Sequence, residues 1–315
     1  MSQFTHGHAL IIGMGADLPN TIQDAAGLAE ILTDKERCAY PPGQVVLLTN
    51  EKATRGAVLS ALDALAHLDD TEATVVVYFS GHGYRVTASL GEFYYLMPFG
   101  YDTDHLVDTA IRGDEFTGRL RAIASQKLLV LLDCCHAGGL TKPEPSGMKL
   151  AKAPLPPEAA SLLAEGRGRV LIASSQQDEF SFAGKPYSAF TLALIEALCG
   201  EGAAAKDGYV RVSDLALHAR EVVPMRTGKR QHPILSFEQA DNFAISYYAA
   251  GEAQAKGLPF AEQPVIEPEP GAWRGASVTQ SIAGDGNVQF SGENIRDSTI
   301  NINLGGQGGS VKPGK

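Results

Sequence analysis

Cysteine is scarce in this sequence. There are 4 in 315 residues, and two of them, Cys134 and Cys135, are adjacent. Neighbouring cysteines rarely bridge each other, and Cys38 and Cys199 sit in helix-like settings. A disulfide framework is therefore excluded, and a reducing, cytoplasmic setting is expected. Basic charge is also in short supply. The 26 Lys and Arg against 36 Asp and Glu leave a net charge of −10. That argues against a general nucleic-acid binder, which carries a basic stripe, and it suits basic protein substrates. No apolar run approaches the roughly 20 residues of a membrane helix. No basic-then-apolar segment precedes a small-residue cleavage site, so neither a span nor a signal peptide is expected. A dinucleotide fingerprint is one glycine short, because Leu18 follows Gly13 and Gly15 where a third glycine is needed.

What the sequence does have is an alternation of apolar strands and amphipathic helices. Strands are expected at 8–13, 45–48, 74–83, 128–135 and 169–174. Helices are expected at 21–32, from a Thr54 cap to Leu68, at 112–123, 188–198 and 212–223. Residues 92–98 read as an antiparallel excursion, and 233–236 and 243–245 as strands closing the sheet. This is the α/β pattern of a mostly parallel central sheet with helices on both faces. Residues 140–158, with five prolines and Lys142, Lys149 and Lys152, read as a mobile surface loop. The globular part is expected to span 1–248. A Pro- and acid-rich linker follows at 249–275, and then a Gly- and Asn-rich, β-prone tail at 276–315.

Two strands end in chemistry. Leu128 to Leu132 runs into Asp133-Cys134-Cys135-His136-Ala137-Gly138, and Thr74 to Phe79 runs into Ser80-Gly81-His82-Gly83. In an open α/β sheet, ligands bind at the carboxyl ends of strands. If these two strands are neighbours, a thiol and an imidazole share one crevice, as a nucleophile and its base. Strand alternation sends Cys134 and Cys135 to opposite faces, so only one of them can meet His82. Zinc is the competing use of Cys134, Cys135, His136 and His82, but adjacent cysteines make poor tetrahedral geometry.

These two blocks resemble the catalytic blocks of the caspase–metacaspase clan, and bacterial metacaspase-like (orthocaspase) members most. The resemblance covers about the first four-fifths of the chain. It implies a caspase-like α/β/α sandwich and a cysteine endopeptidase, with Cys135 as nucleophile and His82 as general base. An oxyanion hole would be formed by the backbone N–H groups of Gly83 and Cys135. By the same resemblance, cleavage follows Arg or Lys, through an acidic S1 pocket of Asp24 and Asp133. Ser80 is a third pocket residue, and Asp178 belongs to another substrate-cleft segment. Asp24 lies in Thr21-Ile22-Gln23-Asp24-Ala25, where Thr21 replaces the family's cysteine. Beside such a cleft, Lys149 and Lys152 are candidate self-cleavage sites. Many metacaspases use calcium through an aspartate a few residues past the catalytic block, where this chain has Thr141 or Lys142. No metal or other cofactor is therefore expected; Asp102, Asp104 and Asp108 offer the alternative of an oxygen cluster for calcium, against which they read as solvated loop acids.

The resemblance also implies a regulated bacterial defence or cell-death effector. The tail would assemble with copies of itself or recruit a defence-system partner, with no nucleic acid or membrane involved. The alternative is a non-catalytic adaptor that keeps the fold and acts through its tail.

Overall fold

The computed structural model describes residues 2–88, 91–134, 149–152, 168–176, 179–237, 240–260 and 265–266. Strand β1 (Gly7–Gly13) pairs in parallel with the edge strand β2 (Val45–Thr49) on one side and with β3 (Thr74–Ala88) on the other. Strands β6 (Lys127–Cys134) and β8 (Arg169–Ala173) continue the sheet in parallel, and β11 (Ile234–Ser236) closes that edge antiparallel. The order is β11-β8-β6-β3-β1-β2.

Alternation along each strand decides what lies on each face. Ala9, Ile11, Val76, Tyr78, Leu129 and Leu131 pack against α1 (Asn20–Thr33), α5 (Ala189–Leu198) and α6 (Val212–Arg226). The intervening residues Leu10, Ile12, Val75, Val77, Phe79, Leu128, Val130, Leu132 and Cys134 pack against α2 (Arg55–Ala66) and α4 (Gly113–Ala122). Each fully buried leucine here is worth about 1.5–3 kcal/mol in transfer free energy. This is the α/β/α sandwich expected from the sequence. Helix α5 is buried at every position because its flanks meet α1 and α6 as well as the sheet, which explains a composition that is apolar except for Thr191 and Glu196. Thr54 caps α2 by accepting from the N–H of Ala57.

Strand β3 does not stop at His82. It runs on to Ala88, so His82 is a mid-strand residue. The far half of β3 pairs antiparallel with β4 (Gly91–Met97) and with β7 (Lys149–Lys152). A short helix α3 (Leu106–Thr109) leads to β5 (Ile111–Arg112) on the outer edge of β4. The open loop expected at 140–158 is thus corrected in part. Lys149 sits opposite Thr87 and Lys152 opposite Tyr84 in a ladder. A self-cleaved bond there would first have to be peeled from its strand partner, since a ladder engages the same backbone groups that a protease must grip.

A second correction concerns 243–245. Strand β12 (Ala244–Tyr247) pairs with β10 (Tyr209–Arg211) in a separate two-stranded ribbon, because β11 already occupies the β8 edge. The segment expected as a linker stays on the domain as far as Ile266. Leu258, Phe260 and Ile266 pack against the α1-side core, and β13 (Val265–Ile266) pairs with β9 (Gly184–Lys185). Residues 1–269 form one compact unit; the tail 276–315 lies outside the described residues. No described helix is long and apolar enough to cross a membrane.

Candidate active site

The ladder between β3 and β6 brings the two sequence blocks together. Ser80 is the register partner of Asp133, and Gly81 of Cys134. Asp133 follows Leu129 and Leu131 onto the α1 face, where Tyr78 and Ser80 of β3 also point. Cys134 follows Leu132 onto the other face and is fully buried among the α2-side core. It therefore cannot share a metal with His82, which lies on the α1 side. Cys135, the expected nucleophile, is the next residue and lies outside the described residues, as do His136 and Asp178.

His82 is 1 % exposed. Its Nε2 is 2.9 Å from Oδ2 of Asp17, and its ring lies against Tyr84 at 5.5 Å between centroids. Asp17 was not foreseen, since a single aspartate in a loop matches no motif. It belongs to the turn between β1 and α1. There Gly15 and Ala16 both adopt positive φ, and Thr21 holds the turn by accepting from the N–H of Gly15 and donating to the carbonyl of Leu18. The threonine that replaces the family's cysteine thus ties down the loop. Gly83, expected in the oxyanion hole, follows His82 on β3, opposite Leu96 of β4.

Asp24 and Asp133 do converge, from α1 and β6, and both are fully buried. Gly13 permits this approach: a Cβ there would stand 2.3 Å from the backbone oxygen of Thr21, so only glycine lets α1 begin so close to β1. Asp133 accepts from Ser181 Oγ at 2.5 Å, Ser188 Oγ at 2.8 Å and Thr191 Oγ1 at 3.4 Å. Asp24 Oδ1 accepts from the Ser188 N–H at 2.8 Å. Ser188 therefore serves both carboxylates while capping α5. The cap is legible before an apolar helix; its role toward the acids is not. Asp24 Oδ2 and Ser80 Oγ have no hydrogen-bond partner among the described residues. Burial, and then the neighbouring Asp133 carboxylate, push the Asp24 carboxyl well above its ordinary range.

That shift has a thermodynamic sign. A carboxyl whose pKa is raised by folding contributes stability that is present below the unfolded value, near pH 4, and lost as pH rises through the folded value. Asp24→Asn keeps the acceptor for Ser188 and removes the titration. It is expected to be more stable than the wild type at neutral pH, with the gap closing toward pH 4. Urea unfolding of both proteins at pH 4, 6 and 8 checks this; a gap that does not depend on pH would contradict it.

The remaining acids serve local structure. Asp102 caps the turn at Thr103–His105, accepting from the Asp104 N–H at 3.1 Å and lying 3.0 Å from Nδ1 of His105. Among the described residues, no three His, Cys, Asp or Glu side chains gather as metal ligands would.

Compared with known proteins, residues 6–244 match a family model described as the caspase domain. The solved structure of protein GSU0716 from Geobacter sulfurreducens is similar at 18% identity, with a TM-score of 0.49, over 73% of this chain and 92% of that one. No curated protein matches it.

Proposed function

The chain belongs to the caspase-domain family of cysteine peptidases, and from that premise we propose that it is an endopeptidase cleaving proteins after Arg or Lys. The observation that carries this reading is the meeting of Asp24 and Asp133 on the face of β3 that bears His82. Two sealed carboxylates, one with an oxygen that meets no donor among the described residues, form a costly arrangement for an empty core. A guanidinium or ammonium entering between them offsets their repulsion and makes charge-assisted hydrogen bonds of about 1.5–3 kcal/mol each. Both acids are 0% exposed, so substrate entry requires an opening of the site.

In the chemistry, His82 takes the proton of the Cys135 thiol and the thiolate attacks the carbonyl after the basic residue. The N–H groups of Gly83 and Cys135 hold the oxyanion, and the imidazolium returns its proton to the leaving amine. Water then releases the acyl group. The β3–β6 register supports this dyad, because a strand continued one residue past Cys134 would set Cys135 beside His82.

Fluorogenic Arg, Lys and Asp peptides offered to the wild type and to Cys135→Ala test the reading. Hydrolysis of the Arg and Lys reporters by the wild type alone is expected, with the Asp reporter untouched. Equal rates for the two proteins would end the peptidase assignment, and cleavage after Asp alone would end the pocket assignment. The proposal extends to a regulated bacterial defence effector that is recruited or assembled through 276–315. Sedimentation of the full chain against one ending at residue 269 tests that part; identical monomers would count against it.

A further inference from the structure

The nitrogen of His82 that meets Asp17 is Nε2, at 2.9 Å. A carboxylate can only accept, so Nε2 must carry the proton and Nδ1 must present its lone pair. We propose that Asp17 is the positioning residue of the dyad: it selects the imidazole tautomer whose Nδ1 can take the thiol proton. The proposal rests on reading Cys135 and His82 as nucleophile and base. It adds the β1–α1 turn to the site beside His82 on β3.

The turn is built to hold this carboxylate in place. Ala16 stands at φ +55°, a conformation that costs a residue with a side chain about 1–3 kcal/mol unless its surroundings enforce it. The enforcement is visible. Thr21 binds both arms of the turn, the Leu18 N–H returns to the Gly15 carbonyl, and the Met14 N–H donates to the Ser80 carbonyl two residues before His82. None of these bonds involves His82 or Asp17, so the carboxylate is aimed before the imidazole is counted.

The other titratable neighbours do not take its place. Tyr84 meets the imidazole ring through its own ring. Tyr101 stands near Asp17, and its phenol is pushed up to about 12 by burial first and by that carboxylate second. Asp133 lies opposite Ser80, one position further down the same face. The Asp17 side chain is 21% exposed, so water competes for it. Its effect should therefore resemble that of a partner orienting a ligand, about 10–100-fold, and fall short of that of a fully buried triad acid.

The test uses the full chain labelled with 15N-histidine, with His82 assigned by its loss in His82→Gln. The wild type should show the Nε2–H tautomer. Asp17→Asn and Asp17→Ala should move it to a mixture, and should lower kcat on the Arg reporter about 10–100-fold with KM unchanged. Variants that keep both the wild-type tautomer and the wild-type kcat would overturn the proposal. So would a loss of kcat that merely tracks a lowered unfolding midpoint while the tautomer stays put. A wild type whose hydrolysis does not depend on Cys135 would instead overturn the peptidase reading, and with it any catalytic part for Asp17.

Discussion

His82→Ala should lower kcat on an Arg reporter by about 10²–10⁴-fold and leave KM little changed. A positioned proton acceptor contributes on that order, and in the proposed pocket the basic side chain of the substrate binds elsewhere, at Asp24 and Asp133. Folding should survive the change. The imidazole touches Tyr84 and Asp17, and Asp17 already has access to water, so no charge is stranded in a dry core. Steady-state kinetics paired with a thermal melt separates the two effects. The double variant with Cys135→Ala should be no slower than either single one, because the two side chains act as a unit. A His82→Ala enzyme within a few-fold of wild type would remove the imidazole from the mechanism.

Asp133→Ala should do the opposite kind of damage and strike stability as well as activity. Three hydroxyls donate to this carboxylate, from Ser181, Ser188 and Thr191, and all are buried. Hydrogen bonds to a charged acceptor are worth about 1.5–3 kcal/mol each, and the donors would be left unpaired. Relief of the repulsion with Asp24 works in the other direction, but it is a single interaction against three. The net expectation is a loss of about 3–5 kcal/mol in urea unfolding, together with at least a hundredfold fall in kcat/KM on Arg substrates. Asp133→Asn separates the two roles. Its amide oxygen still accepts and its nitrogen can donate to a hydroxyl oxygen, so most of the stability should return while cleavage after Arg stays low. If the Asn variant cleaves Arg substrates at the wild-type rate, the carboxylate is structural and the pocket lies elsewhere.

Asp24 and Asp133 oppose each other in stability and, in the proposed pocket, act together in binding. Alone, each acid would be a routine buried polar group with donors supplied by the backbone or by hydroxyls. The burial of Asp24 and its repulsion with Asp133 oppose folding at neutral pH, which is why Asp24→Asn is expected to stabilise the protein. A residue that weakens the fold where a cationic side chain would strengthen it is a signature of a binding site.

The strand runs, the helix faces and the Thr54 cap were legible in the chain, because period two and period 3.6 are local properties that each residue carries with it. The pairing of Asp24 with Asp133 was expected only through family resemblance, and its hydroxyl cradle was not expected at all. Three hydroxyls from the start of α5 and the segment before it reach an acid on β6 only when the layers close, and no spacing in the chain encodes that distance. The same holds for the continuation of β3 past His82, whose second half is stabilised by β4 and β7. Strand pairing is a nonlocal choice, so an extended stretch around a Gly-His-Gly reads as an end until its partners are in place.

By itself, then, the sequence determined which residues of a strand would share a face and which two blocks carried acid, thiol and imidazole. Tertiary structure alone decided what those groups touch: Asp17 on His82, Ser188 between two carboxylates, Lys149 and Lys152 in a ladder. Facing is set by the geometry of one strand, whereas contact needs two segments far apart in the chain to be held at hydrogen-bond distance, and only the packed layers supply that.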